Sequence, residues 1–406
     1  MALAVVAVID LAYLSYAAAL GWLVPASVPA GAVGLALFAG LNTACLVRPT
    51  AGDRLWAALA PTIRRVDALL ARAGARAILG ALVALALLVR LRVLHREPVD
   101  PGVADMLPLL QQAMARVLAG ADPYVWYHLP YPVPMTYLPA LWLPMVPAFW
   151  LGADVRLVQV LATCGAGAVI GSAAWGGAPR LGASPSVRLV LAGALLLSPA
   201  TVAFAAMGHT GTYWFYLAVL LAALAGGRWF VAGVAAGLCV LARQTMWAAL
   251  PVVLIHVARA TSRRDLGRFL LGGLIPVVAL GPLIARDPVF VLWGSLRWYS
   301  TFGPIAYAVR RWWVVGNPGF ASVLYPLGVP GLLSPIGIAC LALVLVYAWR
   351  GVTDVGTAMR SIALALLAVT LAAPTPWRYE FVPIVQVVIG AALVSAAPSG
   401  PALERA

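Results

Sequence analysis

Long apolar segments alternate with short polar segments along almost the whole chain. A helix needs roughly 20 mainly apolar residues to cross a bilayer, and the pattern predicts about twelve spans of this kind. The predicted spans are 2–24, 28–47, 77–94, 155–176, 188–207, 212–226, 229–242, 246–258, 269–285, 330–349, 359–375 and 380–397. We therefore expect an all-α polytopic membrane protein with about twelve transmembrane helices.

The spans and the segments between them divide the chain into three parts. Residues 1–76 are expected to form a two-helix hairpin followed by an amphipathic segment, and residues 77–397 a transmembrane domain with an outer loop over 95–154. A short tail, 398–406, completes the chain. The first apolar run lacks a basic n-region, so we interpret it as a membrane span rather than a signal peptide.

One apolar stretch, 136–152, is expected not to cross the membrane. Prolines at 139, 144 and 147 would remove helix hydrogen bonds at close intervals, which backbone exposed to lipid does not tolerate. We predict that this stretch lies at the outer membrane surface.

Composition and charge support a membrane location and give the chain an orientation. The chain is 63% hydrophobic and only 10% charged, and its net charge of +14 comes entirely from arginine. The arginines lie mainly in short loops, which is typical of the cytoplasmic side of membrane proteins rather than of a nucleic-acid-binding surface. Placing 48–76 in the cytoplasm brings every short basic loop to the same side, puts both termini inside and leaves 95–154, 286–328 and 374–380 outside.

The segment 103–137 is the most polar part of the predicted outer loop. Asp105 precedes a helical pattern over Met106 to Ala119 that Gly120 is expected to end. Asp105 could simply cap this helix. A separate acid, Asp10, lies inside the first predicted span, where we favour a hydrogen-bonded packing role over a functional one.

Several motifs follow in an order that resembles a known superfamily. The loop contains Asp105, then G-A-D-P-Y at 120–124 and Y-P at 131–132; L-S-P lies at 197–199, G-H-T-G at 208–211 and P-T-P-W-R-Y-E-F-V-P at 374–383. With them, the chain resembles the GT-C membrane glycosyltransferases, in particular the bacterial branch that uses polyprenyl-phosphate mannose and includes the phosphatidylinositol mannoside mannosyltransferases. It departs from the pattern at Leu109, where a tyrosine is usual, at His209 and Gly211 in place of glutamine and an acid, and at Arg243 in place of lysine.

The resemblance implies a fold with juxtamembrane helices on the outer face and an inverting enzyme of the bacterial plasma membrane whose active site faces the periplasm. A sugar, with mannose favoured, would pass from a polyprenyl phosphate to a hydroxyl of a lipid or glycan, and Asp105 would be the general base. Membrane lipids are expected partners, and nucleic acid and cofactors are not expected. The residues implied for the donor phosphate are Arg243, Arg378, His209, Arg310 and Arg311, and those implied for substrate binding are Asp122, Tyr124, His128, Tyr131 and Glu380.

Other interpretations of these residues stay open. Asp122 precedes a proline and could only fix a turn, Arg310 and Arg311 precede two tryptophans and could anchor the chain at the interface, and Glu380 could pair with an arginine nearby. The two histidines could be structural, and the loop aromatics could lie in the headgroup layer. No ligand spacing indicates a metal site. A lipid-linked sugar flippase or transporter and a glycan polymerase or ligase are the alternative functions.

Overall fold

The computed structural model describes residues 2–23, 36–47, 53–99, 105–129, 131–172, 175, 184–308, 319–374 and 378–395, and these residues are overwhelmingly helical. The α-helices are α1 (Ala2–Leu23), α2 (Leu41–Val47), α3 (Asp53–Ala73), α4 (Ala75–Arg96), α5 (Met106–Leu118), α6 (Pro139–Trp142), α7 (Val146–Trp150), α8 (Arg156–Gly171), α9 (Pro185–Leu197), α10 (Pro199–Met207), α11 (Gly211–Ala225), α12 (Trp229–Val240), α13 (Thr245–Ala260), α14 (Arg263–Ala285), α15 (Pro288–Ala308), α16 (Ala321–Leu324), α17 (Leu333–Gly351), α18 (Val355–Leu371) and α19 (Val382–Ser395). One π-helical turn, Ala36–Gly40, precedes α2, and 3₁₀ turns lie at Leu143–Met145, Pro330–Leu332 and Arg378–Glu380.

Several helices are apolar and long enough to cross a membrane. Within the described residues these are α4, α14 and α17 together with the 3₁₀ turn before it. Shorter apolar helical stretches of 10–17 residues are also present, among them Leu3–Ser15 within α1. An all-helical protein with transmembrane-type helices is therefore confirmed, whereas the predicted total of twelve spans is not.

The predicted span 188–207 is two helices rather than one. Helices α9 and α10 meet at an angle of 46°. Ser198 lies between them, and its side chain accepts a hydrogen bond from the backbone N–H of Thr201 at 3.2 Å. Pro199 then occupies the first turn of α10, where a missing N–H costs nothing. The chain thus ends one helix and starts the next within the span.

The proline-rich stretch 136–152 is interrupted, as predicted. It forms α6, the 3₁₀ turn Leu143–Met145 and α7, and each of these begins at or next to a proline. Its side chains from Leu138 to Trp142 are buried within the protein. Trp142, one of the aromatic residues of the predicted outer loop, therefore packs within the protein rather than against lipid headgroups.

A second difference lies in 286–328, which was predicted only as an outer region. Its first part is the 21-residue helix α15. The ring of Trp298 on α15 packs edge-on against Trp126 of the loop that follows α5, with centroids 5.8 Å apart. The helix therefore helps to hold that loop.

Close glycine contacts bring α12 and α14 together. A Cβ atom at Gly233 would lie 2.0 Å from the carbonyl oxygen of Phe269, and one at Gly272 would lie 2.3 Å from that of Phe230. Gly237, four residues after Gly233, faces Gly273 and Pro276 in the same way. Small residues at this spacing let helix backbones approach closely in membranes. The fold here depends on the absence of side chains.

Asp10 has the packing role that we favoured. It is buried, and the side-chain amide of Asn42 donates to its two carboxylate oxygens at 3.0 and 3.1 Å. The same amide donates to the carbonyl of Phe38 at 2.8 Å. These hydrogen bonds join α1 to the π-helical turn and α2.

The predicted amphipathic segment forms helix α3. A polar side chain of this helix contacts the start of the apolar helix α9. The carboxylate of Asp67 accepts a hydrogen bond from the backbone N–H of Ser186 at the start of α9, at 2.9 Å. Thr62, Ile63 and Val66 face an apolar groove that α1 and α9 complete. The structure thus confirms the helix and connects it to the bundle.

Candidate functional site

The site begins where the sequence predicted a helix start. Helix α5 runs over Met106–Leu118, and Gly120 follows it with a φ of 72°, which suits glycine. Asp105 immediately precedes α5 but has helical backbone angles, and its side chain makes no capping hydrogen bond. Its Oδ2 instead accepts a hydrogen bond from the hydroxyl of Tyr131 at 2.6 Å. The N-cap interpretation of Asp105 is therefore wrong.

A small hairpin carries Tyr131. Strands β1 (Trp126–His128) and β2 (Pro132–Pro134) pair antiparallel, and Tyr131 lies directly before β2. The turn before β1 is fixed by local hydrogen bonds: Asp122 accepts from the backbone N–H of Tyr124 at 2.9 Å, and the hydroxyl of Tyr127 donates to the carbonyl of Pro123 at 2.6 Å. The hairpin was not predicted from the sequence pattern.

These contacts decide between the interpretations of some loop residues. The Asp122 carboxylate fixes the turn before β1, which was one of the two roles considered for it. Tyr124 and Tyr127 are buried at 4% and 5% exposure, so their rings lie in the protein core rather than in the headgroup layer. His128 is exposed on β1. Of the loop residues implied for substrate binding, Tyr131 is the one whose contact with Asp105 the structure shows.

Three aromatic residues from distant parts of the chain meet next to Asp105. The ring of His209, between α10 and α11, lies 5.3 Å from that of Tyr137 and 4.8 Å from that of Tyr379. All three side chains are buried. The hydroxyl of Tyr379 also lies 3.8 Å from the sulfur of Met106, the residue that follows Asp105.

The neighbouring ion pair joins two residues that the sequence analysis named separately. The Arg243 guanidinium, in the turn between α12 and α13, donates through Nη2 to Oε1 of Glu380. Both side chains are largely buried, at 12% and 13% exposure. The Arg243 guanidinium carbon lies 5.7 Å from the centre of the Tyr379 ring. Glu380 thus pairs with an arginine, as its structural interpretation required, and partly neutralises the charge of Arg243.

Backbone contacts hold Arg243 beside the loop. The carbonyl of Leu241 accepts a hydrogen bond from the backbone N–H of Ala140 in α6 at 3.0 Å. The indole N–H of Trp247 donates to the carbonyl of Val240, also at 3.0 Å. These hydrogen bonds therefore connect the turn that carries Arg243 to the proline-rich stretch, and they connect the two helices on either side of the turn.

Burial and nearby carboxylates keep the tyrosines of this cluster protonated. Burial raises the pKa of Tyr137 and of Tyr379 well above the ordinary value of 10, and Glu380 and Asp105 raise the pKa of Tyr379 further. Burial, followed by the hydrogen bond and charge of Asp105, also raises the pKa of Tyr131. At neutral pH these hydroxyls remain hydrogen-bond donors.

Tyr299 is a member of the cluster that the sequence analysis missed. It lies on α15, interacts with the Thr136 side chain and lies within the electrostatic reach of Arg243, Glu380 and Asp105. No motif surrounds it. A signal was nevertheless present, because all three predicted outer regions contribute to the cluster: the loop with Asp105, 286–328 with Tyr299, and 374–380 with Tyr379.

Arg156 is a second missed residue, with a structural role. Its guanidinium pairs with Asp154 at 2.7 Å and donates to the carbonyls of Glu97 and Leu94 at 2.6 and 3.1 Å. Arg156 thereby connects the two ends of the predicted outer loop 95–154. Gly208 leaves room for it, since a Cβ there would lie 2.8 Å from Cγ of Arg156.

The structure does not describe the side chains of the remaining predicted site residues. Arg310 and Arg311 lie outside the described residues. Arg378 begins the 3₁₀ turn that also contains Glu380, but its side chain is not among those described. Within the described part of the chain, no group of three or more His, Cys, Asp and Glu side chains could hold a metal ion.

The chain matches no family model, no curated protein and no solved structure. The residues of the site are therefore the basis for inferring its chemistry. The site combines a partly exposed carboxylate with a tyrosine donor, a buried arginine–glutamate pair and neighbouring protonated tyrosines. Such a carboxylate can accept a proton, and the surrounding donors can bind oxygen atoms of a polar ligand.

Proposed function

We propose that the protein is an inverting glycosyltransferase that moves a sugar, with mannose favoured, from a polyprenyl phosphate to a hydroxyl of a lipid or glycan at the outer face of the bacterial plasma membrane. The observation that carries this proposal is the Asp105 carboxylate, which does not cap α5 but accepts a hydrogen bond from Tyr131. A carboxylate that is not needed for the helix start, and is partly exposed beside a polar cluster, is available as a base.

The proposed reaction is a single displacement. Asp105 takes the proton from the acceptor hydroxyl while the acceptor oxygen bonds to the anomeric carbon. The bond between that carbon and the phosphate oxygen breaks on the opposite face, and the polyprenyl phosphate leaves with its electron pair. Configuration is inverted because there is one attack, and one carboxylate suffices.

The other residues receive supporting roles in this proposal. Tyr131 orients the carboxylate of Asp105 through its hydroxyl. Arg243 and His209 contribute positive charge or N–H donors for the leaving phosphate, and Arg378 is a further candidate. Glu380 holds the Arg243 guanidinium in one orientation, and a planar guanidinium held in this way is suited to phosphate oxygens.

The test is reconstitution of the purified chain in liposomes with a polyprenyl-phosphate sugar. The proposal expects a radiolabelled sugar to appear on an acceptor, with inverted configuration at the anomeric carbon. Movement of intact donor across the bilayer without sugar transfer would indicate a flippase and overturn the proposal. Repeated addition of sugars to one growing glycan, or transfer of a whole preassembled glycan, would indicate a polymerase or a ligase and would also overturn it.

A further inference from the structure

Among the described residues, one charged side chain inside the helix bundle has no charged partner. It does not belong to the Arg243–Glu380 pair. Arg90, on α4, is completely buried. Its Nη1 donates to the carbonyl of Ala86 and its Nη2 to the hydroxyl of Thr201, each at 3.2 Å. Both acceptors are neutral, and the ion pairs among the described residues do not include Arg90.

A buried guanidinium in this state is costly. An isolated charge in a medium of low dielectric constant has to be compensated by an opposite charge or by a full set of hydrogen bonds. Nε of Arg90 has no hydrogen-bond partner in the part of the chain that the structure describes. Among the described residues, no opposite charge therefore matches that of Arg90, and none of them accepts a hydrogen bond from its Nε.

Arg90 lines a narrow polar cavity. The space between α4, α8, α10 and α11 has room for roughly one water-sized atom. Thr201, His209 and Trp214 also line it, and none of the described lining residues is acidic. The indole N–H of Trp214 is a second buried donor without a hydrogen-bond partner among the described residues.

The cavity also lies at the start of a helix. Thr210 and Gly211, at the N-terminus of the 15-residue helix α11, are among its lining residues. The N-terminus of a helix carries a partial positive charge and favours anions. One of the N–H groups there, that of Thr212, is already bound to Oε1 of Gln159 at 2.9 Å. Arg90, Trp214 and the N-terminus of α11 thus line one small space.

We propose that this cavity binds a single small anion of the size of chloride, which neutralises Arg90. A monatomic anion matches a space with room for roughly one water-sized atom. The anion accepts hydrogen bonds from the guanidinium and the indole, and so joins α4 to α10 and α11. The anion proposal does not rest on the proposed sugar transfer, although the two share His209, which lines the cavity and also contacts Tyr379.

The test is the thermal stability of the full purified chain in sodium chloride or sodium gluconate at constant ionic strength. The proposal expects the unfolding temperature to rise with chloride and to saturate. Trp214→Phe removes the N–H but keeps an aromatic ring, and it should raise the half-saturating chloride concentration by about tenfold, as expected for loss of a hydrogen bond to a charged group. Arg90→Met should abolish the chloride response.

Trp142→Phe is the matched control, because Trp142 is equally buried but does not line the cavity. Its chloride response should equal that of the wild type. Equal stability of the wild type in both salts, or an unchanged half-saturating concentration in Trp214→Phe, would overturn the proposal even if Arg90→Met does not fold. Crystals soaked in bromide give a second test. Anomalous density beside Arg90 supports the anion, and a water without anomalous signal refutes it.

Discussion

The hydroxyl of Tyr131 lies 2.6 Å from Oδ2 of Asp105, although 26 residues separate the two along the chain. The intervening residues form helix α5, a fixed turn and the first strand of the hairpin. Asp105 is held at the start of α5, and Tyr131 is held by the hairpin. The geometry of this pair is therefore set by the folded loop as a whole rather than by either residue alone.

Removal of the Tyr131 hydroxyl should reduce the proposed sugar transfer without unfolding the protein. Tyr131→Phe leaves the ring in place but takes away the hydrogen bond that orients the Asp105 carboxylate. We expect the transfer rate to fall by about tenfold, the size of effect expected for a hydrogen bond to a charged group. The measurement is the initial rate in reconstituted liposomes. Tyr347→Phe on α17 is the control, and equal rates for the two variants would remove Tyr131 from the site.

The Arg243–Glu380 pair should be strongly coupled in stability. Arg243→Met removes the guanidinium that pairs with Glu380, and loss of one partner of a buried pair costs about 3–5 kcal/mol. Arg243→Met combined with Glu380→Gln removes both charges and should regain part of that loss. Unfolding of the wild type, the two single variants and the double variant gives the coupling energy. A double variant that loses as much stability as the two single variants added together would show that the pair is not coupled.

The double variant of Arg243 and Glu380 also allows the effect on donor binding to be measured apart from the effect on stability. If Arg243 contributes to the phosphate site, the refolded double variant should still require a higher concentration of the polyprenyl-phosphate donor than the wild type. Donor dependence equal to that of the wild type would remove Arg243 from the phosphate site while leaving its structural role intact.

The close packing of α12 and α14 should be sensitive to a single methyl group. Gly233→Ala places a Cβ where the carbonyl oxygen of Phe269 lies, so we expect destabilisation of about 1–3 kcal/mol, as for other overpacked interiors. Gly267→Ala on α14 is the control, because its Cβ would meet no atom within 4 Å. Thermal unfolding in detergent compares the two variants. Equal unfolding temperatures would contradict the packing described here.

The start of α18 should lose stability in acid. Partial burial opposes ionisation of Asp354, but hydrogen bonds from the backbone N–H groups of Thr357 and Gly356 outweigh it and hold the pKa of the carboxyl below its ordinary value of 3.8. Because the folded-state pKa is depressed, the stabilisation is present above pH 3.8 and disappears as pH falls through the lower folded-state value.

Asp354→Ala should therefore destabilise the protein by about 1 kcal/mol at neutral pH. Asp354→Asn retains a capping side chain that does not titrate. Its stability should change less than that of the wild type between pH 5 and pH 3, as measured by thermal unfolding at about these two values. An identical pH dependence in the wild type and Asp354→Asn would show that the cap does not contribute.

The sequence predicted the helices well where hydrophobicity alone determines them. The apolar runs that became α4, α8 and α11 to α14 end within a few residues of the predicted spans, except that α14 begins six residues earlier, at Arg263. The bend between α9 and α10 was missed because the run of apolar residues continues through it. The Ser198–Pro199 pair, a helix cap followed by a proline, was the local signal for the break.

The site was predictable only in part, for a physical reason. The helix pattern after Asp105 predicted where α5 begins, but whether the carboxylate caps that helix or contacts another residue depends on the fold of the whole loop. Arg243 and Glu380 were each named from local motifs, whereas their pairing across 137 residues is a tertiary contact. Tyr299 and Arg90 have no motif at all, and only the packed structure shows what surrounds them.

Replacement of Asp105 by asparagine tests the central claim most directly. Asparagine is similar in size and does not disturb a helix start, but it cannot accept the acceptor proton. The control is Asp287→Asn, which removes another acid from a predicted outer region. Among the described residues, the Asp287 carboxylate accepts a hydrogen bond from the backbone N–H of Phe290 alone. In liposomes with a polyprenyl-phosphate sugar, we expect Asp105→Asn to fold normally and to transfer sugar more slowly by on the order of a hundredfold, while Asp287→Asn transfers at the wild-type rate. Wild-type turnover by Asp105→Asn would contradict it.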